Sequence, residues 1–169
     1  MARSARKGGS RSGPTTPATL ALDALGIRYT GHTYEHDSAA TGYGQEAARE
    51  LDVAADRIFK TLLVDTGDNL GVAIVPVAGQ LDLKATAAAL GVKAVGMADP
   101  ADAARSTGYV LGGISPIGQR RRLPTVVDES ACSHDTVYVS GGRRGFQVEL
   151  TPDDLLRAIR GSYAPIGRP

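Results

Sequence analysis

Apolar positions along the chain switch between the helical period and the strand period, and turn residues separate the segments. Thr15-Thr16-Pro17 places a threonine at an N-cap and a proline at the first helical position; Leu20, Ala21, Ala24 and Leu25 then share one face, and Gly26 supplies the stop. Residues 27–34 read as a strand, 37–44 as a glycine-containing loop, and 45–51 as a second helix. The β-branched and apolar runs 58–64 and 71–76, separated by Asp65-Thr66-Gly67-Asp68-Asn69, predict a hairpin. An Ala- and Leu-rich helix is predicted over 81–90, ending at Gly91, and Asp99-Pro100 opens another that runs through Arg105. Strands are predicted at 125–128, 136–140 and 146–150, with Gly141-Gly142-Arg143-Arg144-Gly145 closing the last pair, before Thr151-Pro152 starts a final helix.

Several neighbouring strands are joined by turns too short for a parallel crossover, so the fold class is α+β with a mixed or mostly antiparallel sheet. At 169 residues and 17.5 kDa the chain suits a single core, and 42% apolar with 22% charged residues excludes a disordered or fibrous class. The organisation predicted is a disordered basic tail over 1–14, one domain over 15–163 and a C-terminal tail over 164–169. Residues 108–124 read as a long ordered loop, which in a small domain is more often functional than idle.

Charge changes the picture once it is divided. Arg3, Arg6, Lys7 and Arg11 lie in the first 14 residues without an acid, which leaves the domain with an excess of acidic groups. Such a tail could add salt-sensitive attraction to nucleic acid or serve only solubility. No apolar run reaches membrane-spanning length and no apolar segment follows the basic N-terminus, so neither a membrane protein nor a secreted one is expected. The lone cysteine, Cys132, forms no internal disulfide and suits a reducing cytoplasm.

Familiar chemistries are mostly set aside. His32 and His36 flank Glu35 in a strand rather than in a metalloprotease helix, and no metal is expected. Gly113-Ile114-Ser115-Pro116-Ile117 misses the nucleophile-elbow pattern at its last position, and its proline would block the required helix. Cys132 lacks cationic neighbours that would activate it, and no phosphate-cradling glycine motif is present, so no cofactor is expected. Three features remain. Lys60 interrupts an apolar strand and either snorkels at a sheet edge or points into a pocket, the strand by itself favouring the edge. Gly112-Gly113-Ile114-Ser115-Pro116 can bring backbone N–H groups close to a carbonyl or anion, or can be a plain tight turn. Arg120, Arg121 and Arg122, with Arg143 and Arg144, could contact phosphate.

These residues, together with His32 to Asp37, Lys60 to Val64, Pro76 to Lys84, Met97 to Pro100, Arg105 to Tyr109 and Tyr138 to Gly142, resemble the YbaK family in the same order, from about Thr16 to about Ala158. The resemblance implies a barrel-like mixed sheet flanked by helices, related to the editing domain of prolyl-tRNA synthetases. It also implies release of a wrongly attached amino acid from mischarged tRNA, cysteine on tRNA(Pro) above all and on tRNA(Cys) as a second substrate. A site built for proline cannot strongly reject a similarly small residue, since such differences are worth only roughly 1–3 kcal/mol. By resemblance, Lys60 is the essential lysine, and Gly112, Gly113, Ile114, Ser115 and Pro116 form the loop that holds the aminoacyl end. Tyr34, Thr61 and Ser140 support the pocket. Gln147 is a departure, because the family's usual residue there is Asp, and an amide cannot act as a base. In cysteine-specific members the substrate's own thiol attacks its ester carbonyl. A transient complex with prolyl-tRNA synthetase is a further expectation, and DNA is not expected as a partner. The competing readings are a non-catalytic tRNA- or synthetase-binding module and a deacylase for another small residue such as alanine.

Overall fold

Residues 13–169 are described by the computed structural model; the expected basic tail therefore lies, up to residue 12, outside the described residues. In α1 (Pro17–Ala24) the Thr16 hydroxyl accepts from the Thr19 N–H and the Thr19 hydroxyl accepts from the Thr16 N–H, a reciprocal cap that seats Ala18 and Leu22 in the core. α2 (Tyr43–Leu51) starts two residues earlier than its apolar pattern predicts and has Gly42 at its N-cap, without a capping side chain. Asp82, Asp99 and Thr151 cap α3 (Leu83–Leu90), α4 (Pro100–Thr107) and α5 (Pro152–Ile159) with side-chain oxygens, as their sequences require.

The strands are β1 (Thr30–Thr33), β2 (Phe59–Asp65), β3 (Leu70–Pro76), β4 (Gln80–Leu81), β5 (Gly96–Met97), β6 (Thr125–Asp128), β7 (Val137–Arg143), β8 (Phe146–Leu150), β9 (Ser162–Ala164) and β10 (Gly167–Arg168). The predicted hairpin is present as β2 and β3, in register from Phe59 opposite Pro76 to Asp65 opposite Leu70. It forms the centre of a sheet ordered β5-β2-β3-β6-β9, antiparallel on one side and parallel from β3 to β9. A second, antiparallel sheet is ordered β1-β8-β7. The first predicted strand is shorter than expected, because Ile27 and Tyr29 turn into the core before the ladder with β8 begins at Thr30.

The fold is thus α+β with mixed pairing, but the barrel-like sheet implied by the resemblance is not closed. Among the described residues the two sheets are joined by one parallel bridge, Ile58 with Tyr138, supported by the Arg57 guanidinium, which donates to the Thr136 carbonyl and hydroxyl and lies over the Tyr138 ring. On its outer side β2 pairs again only at Val64 and Asp65, with β5. The stretch between has no strand neighbour among the described residues, and this open edge borders a cavity. Phe59, Leu63, Val72, Ile74, Val139, Phe146 and Val148 from both sheets pack with α1 residues into the main core.

Of two further segments, one matches the sequence-based expectation and one departs from it. Residues 108–124 are indeed irregular, tied down by the Tyr109 hydroxyl donating to the Ile117 carbonyl at 2.6 Å and by the Arg120 and Arg121 N–H groups donating to Thr107 and Ser106. Residues 164–169, expected as a tail, instead contribute the end of β9 and all of β10, because Ile166 is apolar and becomes fully buried beside Ala73, Val75 and Val126.

Candidate active site

A cavity of about 490 Å³ opens along the free edge of β2, between that strand, the loop after α4, and the second sheet. Of the residues singled out in the sequence, Lys60, Thr61, Gly112, Ile114, Ser140 and Gln147 line it. Lys60 therefore resolves the choice between edge and pocket in an unexpected way: it is on an edge, and the edge faces the cavity. Its half-buried ammonium donates to the Gly79 carbonyl at 2.9 Å, and burial lowers its pKa. An ammonium has three donors, so two remain for a ligand.

Gln147 is buried on β8 near Tyr34, whose pKa is raised by burial first and by Glu46 second. The Gln147 Oε1 and Thr61 Oγ1 atoms are both buried and have no hydrogen-bond partner among the described residues. Two orphan polar atoms beside one cavity are costly unless a ligand or water satisfies them. Ser140 Oγ, in contrast, accepts from the Gly142 N–H at 3.2 Å.

The glycine loop is shaped by sterics. Gly112 has φ of +83°, and a Cβ there would sit 2.8 Å from the Tyr43 ring and 2.9 Å from Arg144 Nε. At Gly113 a Cβ would meet the Arg143 and Arg144 backbone at 2.8 to 2.9 Å. The Gly113 N–H is already engaged with the Val110 carbonyl, whereas the Gly112 and Ile114 amides have no protein acceptor among the described residues. Ser115 is fully buried, and its hydroxyl accepts from the Ile117 N–H at 3.1 Å, a brace rather than a nucleophile. Gly113, Ser115 and Pro116 hold the loop from behind and do not line the cavity.

The arginines separate into two groups. Arg144 stands at the cavity mouth, donating to the Leu111 carbonyl at 2.7 Å and lying over the Tyr43 ring. Arg143 is exposed beside it, with its backbone against Gly113. Arg121 and Arg122 line a smaller cavity of about 280 Å³ at the far end of the loop, next to Pro116, Gly118 and Arg160, and the exposed Arg120 packs on Gly108.

Sequence reasoning missed the N-terminal turn of α2, where Gly42, Tyr43, Gly44 and Gln45 line the cavity, and it missed the Gly79 carbonyl. Only the aromatic residue at the mouth of a glycine-flanked helix start could have hinted at the former; a backbone acceptor leaves no sequence signal. The α2 turn is held by Glu46, whose buried carboxylate accepts from the Asp37 N–H at 2.7 Å and pairs with His36 Nδ1 at 2.8 Å. Burial alone would raise the Glu46 pKa, but the Asp37 and His36 hydrogen bonds overcome it and the net shift is downward. The carboxylate's stabilisation is therefore complete above the ordinary carboxylate range and is lost as pH falls through its lowered folded value. Chemical denaturation across the acid range should show wild-type stability falling there more steeply than that of Glu46→Gln.

His32 pairs with Glu149 at 2.9 Å on the outer strand, and Cys132 is exposed away from the cavity. Among the described residues no group of three His, Cys, Asp or Glu converges to hold a metal, and no helix is long and apolar enough to cross a membrane.

Residues 37–158 match the family model of the aminoacyl-tRNA editing domain. The chain belongs to that family. It is 41% identical over 124 residues to a protein of Enterococcus faecalis (strain ATCC 700802 / V583) named as the Cys-tRNA(Pro)/Cys-tRNA(Cys) deacylase EbsC, covering 72% of this chain and 75% of that one. Among solved structures, hypothetical protein APE2540 superposes with a TM-score of 0.80 at 25% identity, covering 90% of this chain and 99% of that one. A structure described as a trans-editing enzyme for prolyl tRNA synthetase superposes with a TM-score of 0.77 at 23% identity, over 90% and 96% of the two chains, and speaks for the fold.

Proposed function

We propose that the chain is a trans-editing aminoacyl-tRNA deacylase that removes cysteine from mischarged Cys-tRNA(Pro), with Cys-tRNA(Cys) as a second substrate. The observation that carries this reading is the make-up of the cavity. It holds a lysine and free loop amides, yet among the described residues no His, Cys, Asp or Glu lines it. A protein hydroxyl or a water molecule would need a base to become nucleophilic, and the cavity's amine, Lys60, is instead engaged as a donor to the Gly79 carbonyl. A substrate that brings its own thiol needs none. Its sulfur attacks the ester carbonyl of the same residue, a sulfur–carbon bond forms, and the carbon–oxygen bond to the ribose breaks. The thiol proton ends on the departing ribose oxygen, and the cyclic thioester opens later in water. The protein's share is orientation and stabilisation of the developing oxyanion, for which the free donors of Lys60 and the Gly112 and Ile114 amides are suited.

Gln147 Oε1 and Thr61 Oγ1 are the acceptors that the substrate's own donors would satisfy. This is compatible with an amide where the family usually has a carboxylate, because no base is required at position 147. Exposed Arg120, Arg121, Arg122 and Arg143, with Arg144 at the mouth, supply a cationic path for the tRNA backbone. A transient complex with prolyl-tRNA synthetase would add tRNA selectivity that phosphate contacts alone do not provide.

The test is a panel of Cys-, Ser- and Ala-tRNA(Pro) with the wild type and Cys132→Ser. Cys-tRNA(Pro) should be deacylated far faster than the serine and alanine forms, and Cys132→Ser should leave that rate nearly intact. Comparable hydrolysis of Ser-tRNA(Pro) would indicate an activated water, rapid turnover of Ala-tRNA(Pro) a different specificity, and binding without turnover a non-catalytic module.

A further inference from the structure

Among the described residues, the only protein acceptor of the Lys60 ammonium is the carbonyl of Gly79, in the turn between β3 and β4. That turn is covered by residues 162–169, which lie beyond the part of the chain matched by the family model. β10 pairs with β4, Gly167 opposite Leu81 and Arg168 opposite Gln80. The Arg168 carbonyl oxygen lies so close over Gly79 that a Cβ on that glycine would sit 2.8 Å from it. The segment is itself pinned: Asp128 Oδ1, buried at the end of β6, accepts from the Ile166 N–H at 3.0 Å and the Gly167 N–H at 2.8 Å. The Ile166 carbonyl accepts from the Asp82 N–H at 2.8 Å, and its side chain is fully buried.

We propose that residues 162–169 form a strap that positions Lys60: Asp128 fixes the strap, the strap fixes the Gly79 turn, and the Gly79 carbonyl fixes the ammonium over the cavity. A lysine head on a four-carbon stem has many rotamers, and without a fixed acceptor it would not be held where charge develops. Misplacement of a reacting group by about 1 Å can cost roughly a hundredfold in rate. The strap acts through backbone atoms, so the Arg168 side chain is not required. The inference rests on the deacylase reading and deepens it.

The experiment compares deletion of residues 168–169, Gly79→Ala and Arg168→Ala by deacylation kinetics on Cys-tRNA(Pro), with the folded fraction of each variant measured by thermal melting. The deletion and Gly79→Ala should lower kcat per folded molecule by about tenfold or more while KM changes little, as expected when placement of a catalytic group is lost. Arg168→Ala keeps the carbonyl and should retain the wild-type kcat. A strap with only a structural role would lower the melting temperature and leave kcat per folded molecule unchanged, and that result overturns the proposal. If the shortened chain does not fold, Gly79→Ala alone decides by the same criterion. An inactive wild type would sink the deacylase reading itself, whereas an active wild type with unaffected variants sinks only the strap.

Discussion

Lys60→Ala should reduce the single-turnover rate of Cys-tRNA(Pro) deacylation by roughly a hundredfold to a thousandfold, the loss typical of removing one preorganised donor from an oxyanion. Binding should suffer less, because tRNA affinity comes mainly from phosphate contacts made elsewhere on the surface. Stability should hardly fall: the ammonium makes one hydrogen bond, to Gly79, and its removal relieves the burial that disfavours its charged form. The ammonium must be charged to serve the oxyanion, and its pKa is lowered, so wild-type activity should decline on the alkaline side earlier than an ordinary lysine would allow. Lys60→Arg would separate charge from placement. A guanidinium is too broad to reach Gly79 with the same geometry, and substantial loss in that variant would show that position matters as well as charge. Full activity in Lys60→Ala would remove this residue from the mechanism.

Gly113→Ala should be nearly as damaging by a different route. The added Cβ would lie within 2.9 Å of backbone atoms of Arg143 and Arg144, which belong to the hairpin between β7 and β8 and cannot move as a side-chain tip could. The loop must shift instead, carrying the Gly112 and Ile114 amides away from the cavity. A displacement of about 1 Å predicts a loss of roughly a hundredfold in rate. The folded fraction, measured by thermal melting, separates this loss of rate from any loss of stability at the buried Gly113. A variant with wild-type kinetics would mean that the loop is not part of the site. Gly91→Ala is a useful comparison, since its Cβ would meet no atom within 4 Å and any effect there reports only the cost of a left-handed backbone.

The contrast between Lys60 and Gln147 shows where reading a chain stops. A cation inside an apolar strand is legible as an anomaly, but whether it faces water or a cavity depends on where the second sheet parts from β2. Gln147 is legible only as a departure from a resemblance. That its Oε1 is left without a partner among the described residues, as Thr61 Oγ1 is, follows from its burial against the cavity. The sequence pattern predicts a glycine-containing loop through Gly44, whereas α2 begins at Tyr43, its first turn held by the buried Glu46 carboxylate, which Asp37 and His36 engage. Residues 164–169 read as a tail because the short strands at that end carry little periodicity; pairing with β4 and Asp128 orders them.

The amino-acid sequence by itself determined the local elements and the chemical candidates: capped helix starts, the β2–β3 hairpin, a glycine loop, one misplaced lysine and no activated nucleophile. These are set within a few residues by backbone sterics, capping and hydropathic period, all short-range effects. The tertiary structure alone decided that two sheets stay open along β2, that the lysine is anchored on a backbone carbonyl, and that a strand from the end of the domain holds that carbonyl in place. Those outcomes depend on contacts between residues tens of positions apart, where burial and hydrogen-bond satisfaction select one arrangement among many that the local pattern allows.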